Sequence, residues 1–130
     1  MICVDTNVLV RAAVLDDPDE GRLASQTLLG ADQVVVSVVS LCEFVWVLRR
    51  AYKKSGPEVA KAVRALVSAP NVIADVAAVE AGLAMLDQGG DFADGAIAHD
   101  GLTRGAVEFV SFDRQAVRLL QQAGTRAHTP

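Results

Sequence analysis

The sequence predicts an α/β domain: a parallel sheet covered by helices on both faces and joined by right-handed crossovers. Three observations predict it. Short apolar runs rich in β-branched residues alternate with helical patterns along the chain. Most helical patterns are preceded by a capping residue, and several are followed by glycine. Two strand-like runs, 2–4 and 106–112, end directly on an aspartate, Asp5 and Asp113. That edge of an open α/β sheet is where ligands bind. No linker, repeat or low-complexity segment interrupts the pattern, so one domain is expected over residues 1–130.

Residues 2–4 suit a central strand buried on both faces. Thr6 and Asn7 offer side-chain oxygens to cap a helix starting near Val8 and ending at 14. Asp16-Asp17-Pro18-Asp19-Glu20 is a helix start, with a cap, a proline in the first turn and acids facing the dipole. That helix runs to 29 and stops at Gly30. Residues 33–36 read as a second strand or as the lead-in to the next helix. Ser37 or Ser40 then caps a long helix reaching about residue 54. Ser55-Gly56-Pro57-Glu58 has the spacing of a capping box and opens a helix over 59–67, broken at Pro70-Asn71. A strand follows at 72–73. Asp75 caps a helix over 76–88, which Gly89-Gly90 ends. Asp91 caps the next, over 92–103. A strand at 106–112, a helix at 115–122 ended by Gly124, and an edge strand at 125–127 complete the chain.

The composition is 52% hydrophobic with 5% aromatic, enough apolar surface for a packed core and not that of a disordered chain. No apolar run reaches the ~20 residues of a membrane span, and no signal peptide is read at the N-terminus. A cytoplasmic protein is expected. Cys3 and Cys42 lie in apolar stretches without ligand-type spacing, and buried thiols in a reducing compartment are expected. The net charge of −4 argues against a general nucleic-acid coating protein. It leaves room for an enzyme with a local basic rim. Arg49, Arg50, Lys53, Lys54, Lys61 and Arg64 are six of the twelve basic residues. Their ordinary reading is a solvated helix end complementing its dipole, favoured for Arg49 and Arg50. The functional reading is a phosphate-contacting rim.

The chemistry points to acids. Asp5 and Asp113 close strands. Glu43 interrupts the apolar run 41–48, where a lone buried charge would be costly. Asp94 sits among small apolar residues, three positions after Asp91, so the two share a helix face. Asp5, Asp91 and Asp113 each also read as helix caps, and Glu43 is the acid least easily dismissed. Together, converging carboxylates repel one another and take up protons unless a cation binds. Mg²⁺ or Mn²⁺ suits an all-oxygen site and bridges to phosphate. Paired ions of this kind hydrolyse phosphodiesters without His, Cys or Lys. His99 and His128 have no ligand partner at useful spacing and read as surface residues. Ser40 and Ser111 would orient a bound water or contact phosphate; their plainer roles are a helix-cap and a strand-end hydroxyl.

The segments VDTNVLVR, SLCEFVWVLRRAY, DFADGAIA and SFDRQAV resemble, in order and spacing, the motifs of PIN-domain nucleases. More narrowly they resemble VapC-type toxins of bacterial toxin–antitoxin pairs. The resemblance spans essentially the whole chain. It implies a parallel five-stranded sheet between helices. It places Asp5, Glu43, Asp94 and Asp113 on the acidic metal-binding positions, Asp91 on a frequent fifth acid, and Ser111 on a Ser/Thr near the site. Asn7 matches the polar residue after the first aspartate. The implied activity is Mg²⁺- or Mn²⁺-dependent endoribonuclease cleavage, often of tRNA or rRNA, by a homodimer whose active site a small antitoxin covers. Gly95, where a larger residue is common, departs from the pattern and puts local helix stability in question. Leu23, Leu28 and Leu29 would receive an antitoxin helix, although core is their default reading.

Three alternatives bound the reading. A haloacid-dehalogenase-type phosphotransferase wants a second aspartate at position 7, which is Asn7, and a lysine beyond Lys61, where none follows. A non-toxin PIN nuclease in RNA processing would carry the same acids. A non-catalytic PIN-fold binding module would keep the fold and lose the metal, leaving a carboxylate cluster as a stability burden.

Overall fold

The computed structural model describes residues 1–130, which divide into two compact halves, Met1–Asp75 and Val76–Pro130. The first half runs β1 (Ile2–Cys3), α1 (Thr6–Val14), α2 (Pro18–Gly30), β2 (Val34–Val35), α3 (Val38–Arg50), α4 (Gly56–Val67), β3 (Val72–Ile73). The second runs α5 (Val76–Asp87), α6 (Phe92–Thr103), β4 (Phe109–Val110), α7 (Arg114–Gln122), β5 (Ala127–His128).

In the first half three parallel strands pair in the order β1-β2-β3, with Val34 opposite both Ile2 and Val72. The central strand is therefore β2, and Val34 and Val36 are almost wholly buried. The expectation that residues 2–4 form a central strand buried on both faces is corrected. β1 pairs only with β2, Ile2 is half-buried and Cys3 is exposed. Neither cysteine is fully buried, since Cys42 is half-buried on α3, and the two are not joined by a disulfide.

A helical period fixes which face of α3 is buried. Leu41, Phe44, Val45 and Leu48 recur at the i, i+3, i+4, i+7 spacing of one stripe, and all four are buried. Ser37 caps the helix, accepting from the Ser40 N–H at 3.1 Å. The helix ends at Arg50, four residues before the expected end, where Lys53 takes a positive φ and the Lys54 carbonyl accepts from Arg49. Ser55 caps α4 as expected, accepting from the Glu58 N–H, while the Glu58 carboxylate accepts from the Ser55 hydroxyl.

The second half is a helical hairpin, α5 and α6, followed by a two-stranded parallel ladder, β4-β5, with α7 between its strands in sequence. Phe92 is completely buried and lies over Gly82, where any Cβ would collide with its ring. Gly95 is the second point of close approach: a Cβ there would run into the Ala81 carbonyl and the Met85 side chain. The unusual glycine is thus explained by helix packing. The two backbones approach so closely that α6 has no room for a side chain at that position. Met85, Ala98, Ala116, Val117, Leu119, Leu120 and Ala127 form the core of this half.

The expected five-stranded sheet is corrected as well. The strands form one three-stranded and one two-stranded parallel sheet. Each strand is two residues long. Polar caps follow at Asp5, Ser37 and Asp113, so pairing ends almost as it begins. The 106–112 run contributes only Phe109–Val110 to a ladder. No helix is long and apolar enough to cross a membrane.

Candidate functional site

Asp5 is itself the N-cap of α1, in place of the expected Thr6 or Asn7. Its Oδ1 accepts the Thr6 N–H at 2.8 Å, leaving Oδ2 with no hydrogen bond from the protein. Thr6 is buried, and its Oγ1 donates to Glu43 Oε2 at 3.3 Å. One threonine therefore touches two acids, Asp5 through its backbone and Glu43 through its hydroxyl. α1 and α3 are packed together, which brings the chain's first acid and its mid-helix acid to the same residue. Glu43 is not buried, as its apolar neighbours suggested: it lies on the exposed side of α3, opposite the stripe of Leu41, Phe44, Val45 and Leu48. The sequence run is apolar because two faces of the helix are read consecutively.

In the second half, Asp91 caps α6 through a 3.2 Å bond from the Ala93 N–H. Asp94 lies in the first turn of that helix and is half-buried. Asp113 caps α7, its Oδ1 accepting from both Gln115 and Ala116 N–H groups at 2.9 and 3.1 Å. The Asp113 N–H in turn donates to Ser111 Oγ at 3.0 Å, so Ser111 shapes the turn that presents this carboxylate. Burial raises the Asp94 carboxyl above the ordinary aspartate range, and the negative charges of Asp91 and Asp113 raise it further. Asp113 is thus brought near the Asp91–Asp94 pair that the helix spacing predicts.

The donors that each half offers are of the kind a hard divalent cation prefers. All the candidate ligands are oxygens, Oδ2 of Asp5 and Oδ2 of Asp113 have no protein donors, and the Asp94 carboxyl feels two neighbouring anions. No three such side chains lie close enough together to enclose an ion.

Other expected site residues take structural places. Ser40 is buried in the α3 cap, with Ser37 Oγ donating to its Oγ at 3.1 Å. Asn7 is exposed on a cleft of about 490 Å³ between α1 and α2, shared with Val8, Arg11, Glu20, Leu23, Ala24 and Thr27. Leu23 and Leu29 are exposed, which corrects their default reading as core; Leu28 is half-buried. In the basic segment, Arg49 is tied to a backbone carbonyl and Lys54 approaches Glu58 at 4.0 Å. Arg50 and Lys53 are exposed and engage no carboxylate.

One polar network escaped the sequence reading. Arg11 pairs with Glu20 at 2.6 Å and Asp16 at 3.0 Å, and Tyr52 Oη donates to Asp16 at 2.8 Å. The tyrosine hydrogen bond and the Arg11 charge hold the Asp16 carboxyl below its ordinary range, against the opposing effect of burial. These partners are separated by up to 36 positions, beyond the reach of any local pattern. The network fastens the α1–α2 corner to the end of α3.

A family model for the PIN domain matches residues 2–120, across both halves. The chain belongs to the PIN domain family. No curated protein matches it. PIN domains are generally metal-dependent nucleases that use divalent cations, and membership suggests a nuclease here.

Proposed function

We propose that this PIN domain is a Mg²⁺- or Mn²⁺-dependent endoribonuclease acting as the toxin of a VapC-type toxin–antitoxin pair. The observation that carries the metal nuclease reading is Asp94, half-buried, with Asp91 and Asp113 close enough to oppose its ionisation. Carboxylates are seldom gathered where they repel unless a cation offsets them. The proposed ligands in the second half are Asp91, Asp94 and Asp113; the first half, taken by itself, offers Asp5 and Glu43. A divalent cation held by such carboxylates would supply a lowered water pKa and a counter-charge for the leaving oxygen of a phosphodiester.

The chain's own residues prepare that chemistry. Thr6 holds the Glu43 carboxylate while its N–H occupies one oxygen of Asp5, so the second oxygen of Asp5 is presented in a fixed direction. Ser111 and the first turn of α7 do the same for Asp113. Arg50 and Lys53 are exposed cations available to the phosphates of an RNA strand. The toxin reading adds a small antitoxin chain, a homodimer and tRNA or rRNA as substrate. The exposed Leu23 and Leu29, with the α1–α2 cleft, support a helix-binding surface.

The test is cleavage of total cellular RNA by purified protein in Mg²⁺ and in Mn²⁺, with EDTA and Asp94→Asn as controls and the new ends mapped. Discrete cuts lost in both controls are expected. No cuts from folded, antitoxin-free protein would turn the reading toward a non-catalytic binding module. Growth arrest on expression, relieved by a small neighbouring gene product, separates the toxin from an RNA-processing nuclease.

A further inference from the structure

The face of α3 that carries Glu43 carries three other exposed residues: Val39, Trp46 and Arg50. At 3.6 residues per turn, positions 39, 43, 46 and 50 fall within about 60° of one another. The opposite stripe is the buried one. Trp46 is 58% exposed and Val39 69% exposed. Trp46 is the only tryptophan in the chain. It stands about 4.5 Å along the axis from Glu43, and Arg50 about 6 Å further on.

We infer that Trp46 is a substrate-positioning residue, a platform on which a base of single-stranded RNA stacks beside the Glu43 carboxylate, with Arg50 taking the adjoining phosphate. The inference rests on the nuclease reading above. Three features of the stripe favour RNA over a second protein. An indole alternates with a cation on one face, the combination by which single-stranded nucleic acid is held. The indole is one helical turn from a proposed metal ligand, so a strand whose phosphate lies at Glu43 has a base within reach of Trp46. A carboxylate and a guanidinium flank the ring on the same stripe, whereas the core of a protein interface is depleted of charge. Arg49, the neighbouring cation, is turned to the Lys54 carbonyl.

The single tryptophan makes the test direct. The full-length protein is titrated with single-stranded octaadenylate in Ca²⁺, and tryptophan emission is followed. Saturable quenching with protection from acrylamide is expected. Trp46→Ala is expected to raise KM for RNA cleavage, and Kd for octaadenylate, by about tenfold or more with kcat little changed. Trp46→Phe is expected to stay within a few-fold of the native protein. Trp46→Leu, apolar but without a ring to stack, is expected to behave as the alanine variant. Because the side chain is exposed, all three variants are expected to melt with the native protein.

Native cleavage with unchanged KM in Trp46→Ala would overturn this inference and leave the nuclease reading standing. Neither cleavage nor quenching by native protein would overturn both. Rescue by Trp46→Leu, with Trp46→Ala altering the sedimentation of the free protein, would assign the face to a second copy of the chain and overturn the RNA platform.

Discussion

Two strand-to-helix turns, one in each half, solve the same problem with different consequences. Both leave a two-residue strand and enter a helix capped by an aspartate. At Asp5 the cap accepts one N–H, and the neighbouring acid, Glu43, is tethered through the Thr6 hydroxyl. At Asp113 the cap accepts two, its own N–H is held by Ser111, and its charge helps push the Asp94 carboxyl up. The first turn orders its acids with a hydroxyl donor. The second assembles like charges whose repulsion is left for something else to neutralise. A carboxylate can therefore be a helix cap and a metal ligand at once, because a cap needs only one of its oxygens.

The comparison is sharpest at Asp94. Asp94→Asn keeps the shape and removes the charge, and cleavage is expected to fall by well over the ~100-fold that losing a group which merely orients a ligand costs. Near-native cleavage would break the claim that the second half's acid cluster carries the reaction. Next in size is Gly95→Ala. A methyl group driven against the Ala81 carbonyl is expected to destabilise the protein by about 3 kcal/mol, at the upper end of overpacking costs. Denaturant unfolding measures it, and an unchanged midpoint would contradict the close approach of α5 and α6.

Asp113 separates the two roles of a cap. Asp113→Ala is expected to lose about 1 kcal/mol of stability in metal-free buffer. Asp113→Asn, which still caps but no longer repels Asp94, is expected to match or exceed the native protein. Equal losses in both would show that charge at this position is stabilising. In the first half, Thr6→Val is expected to cost about 1 kcal/mol and to lower cleavage, since Glu43 loses its donor. Unchanged activity would show that the tether is structural.

The smallest effect is a pH dependence. The Asp94 carboxyl is raised in the folded state, so folding favours its protonated form. Below the ordinary aspartate range both states are protonated and there is no penalty. The penalty develops as pH rises through that range and is complete above the raised value. Asp94→Asn is therefore expected to be more stable than native at neutral pH without metal, by about 1 kcal/mol or less given the partial exposure. The two should converge near pH 3. Adding Mn²⁺ should reverse the order, since an ion that binds only the native fold stabilises it. Thermal melts at both pH values, with and without Mn²⁺, test all three statements.

Helices were the most legible part of the fold. Their signals are local: the capping box at Ser55, the proline after Asp17, the Asp91 cap and the four-residue apolar stripe of α3 each act within a turn or two. Strand extent was not legible. A run such as 106–112 looks like one strand whether two residues or seven find partners, because pairing depends on chain segments far away in sequence. Asp5 and Asp113 stood out by closing strands and Glu43 and Asp94 by their apolar surroundings, but that second signal misread Glu43, which lies opposite the buried stripe of its helix.

The sequence by itself determined where the chain turns, where helices begin and which acids stand out, since those depend on side chains bonding to their own backbone. Tertiary structure alone decided that Thr6 would reach Glu43 across 37 positions, that Asp113 would join the Asp91–Asp94 pair, and that Gly95 must lack a side chain. It also decided that Trp46 would face outward beside an acid and a cation. Those outcomes come from the packing of one element on another, and no local propensity encodes them.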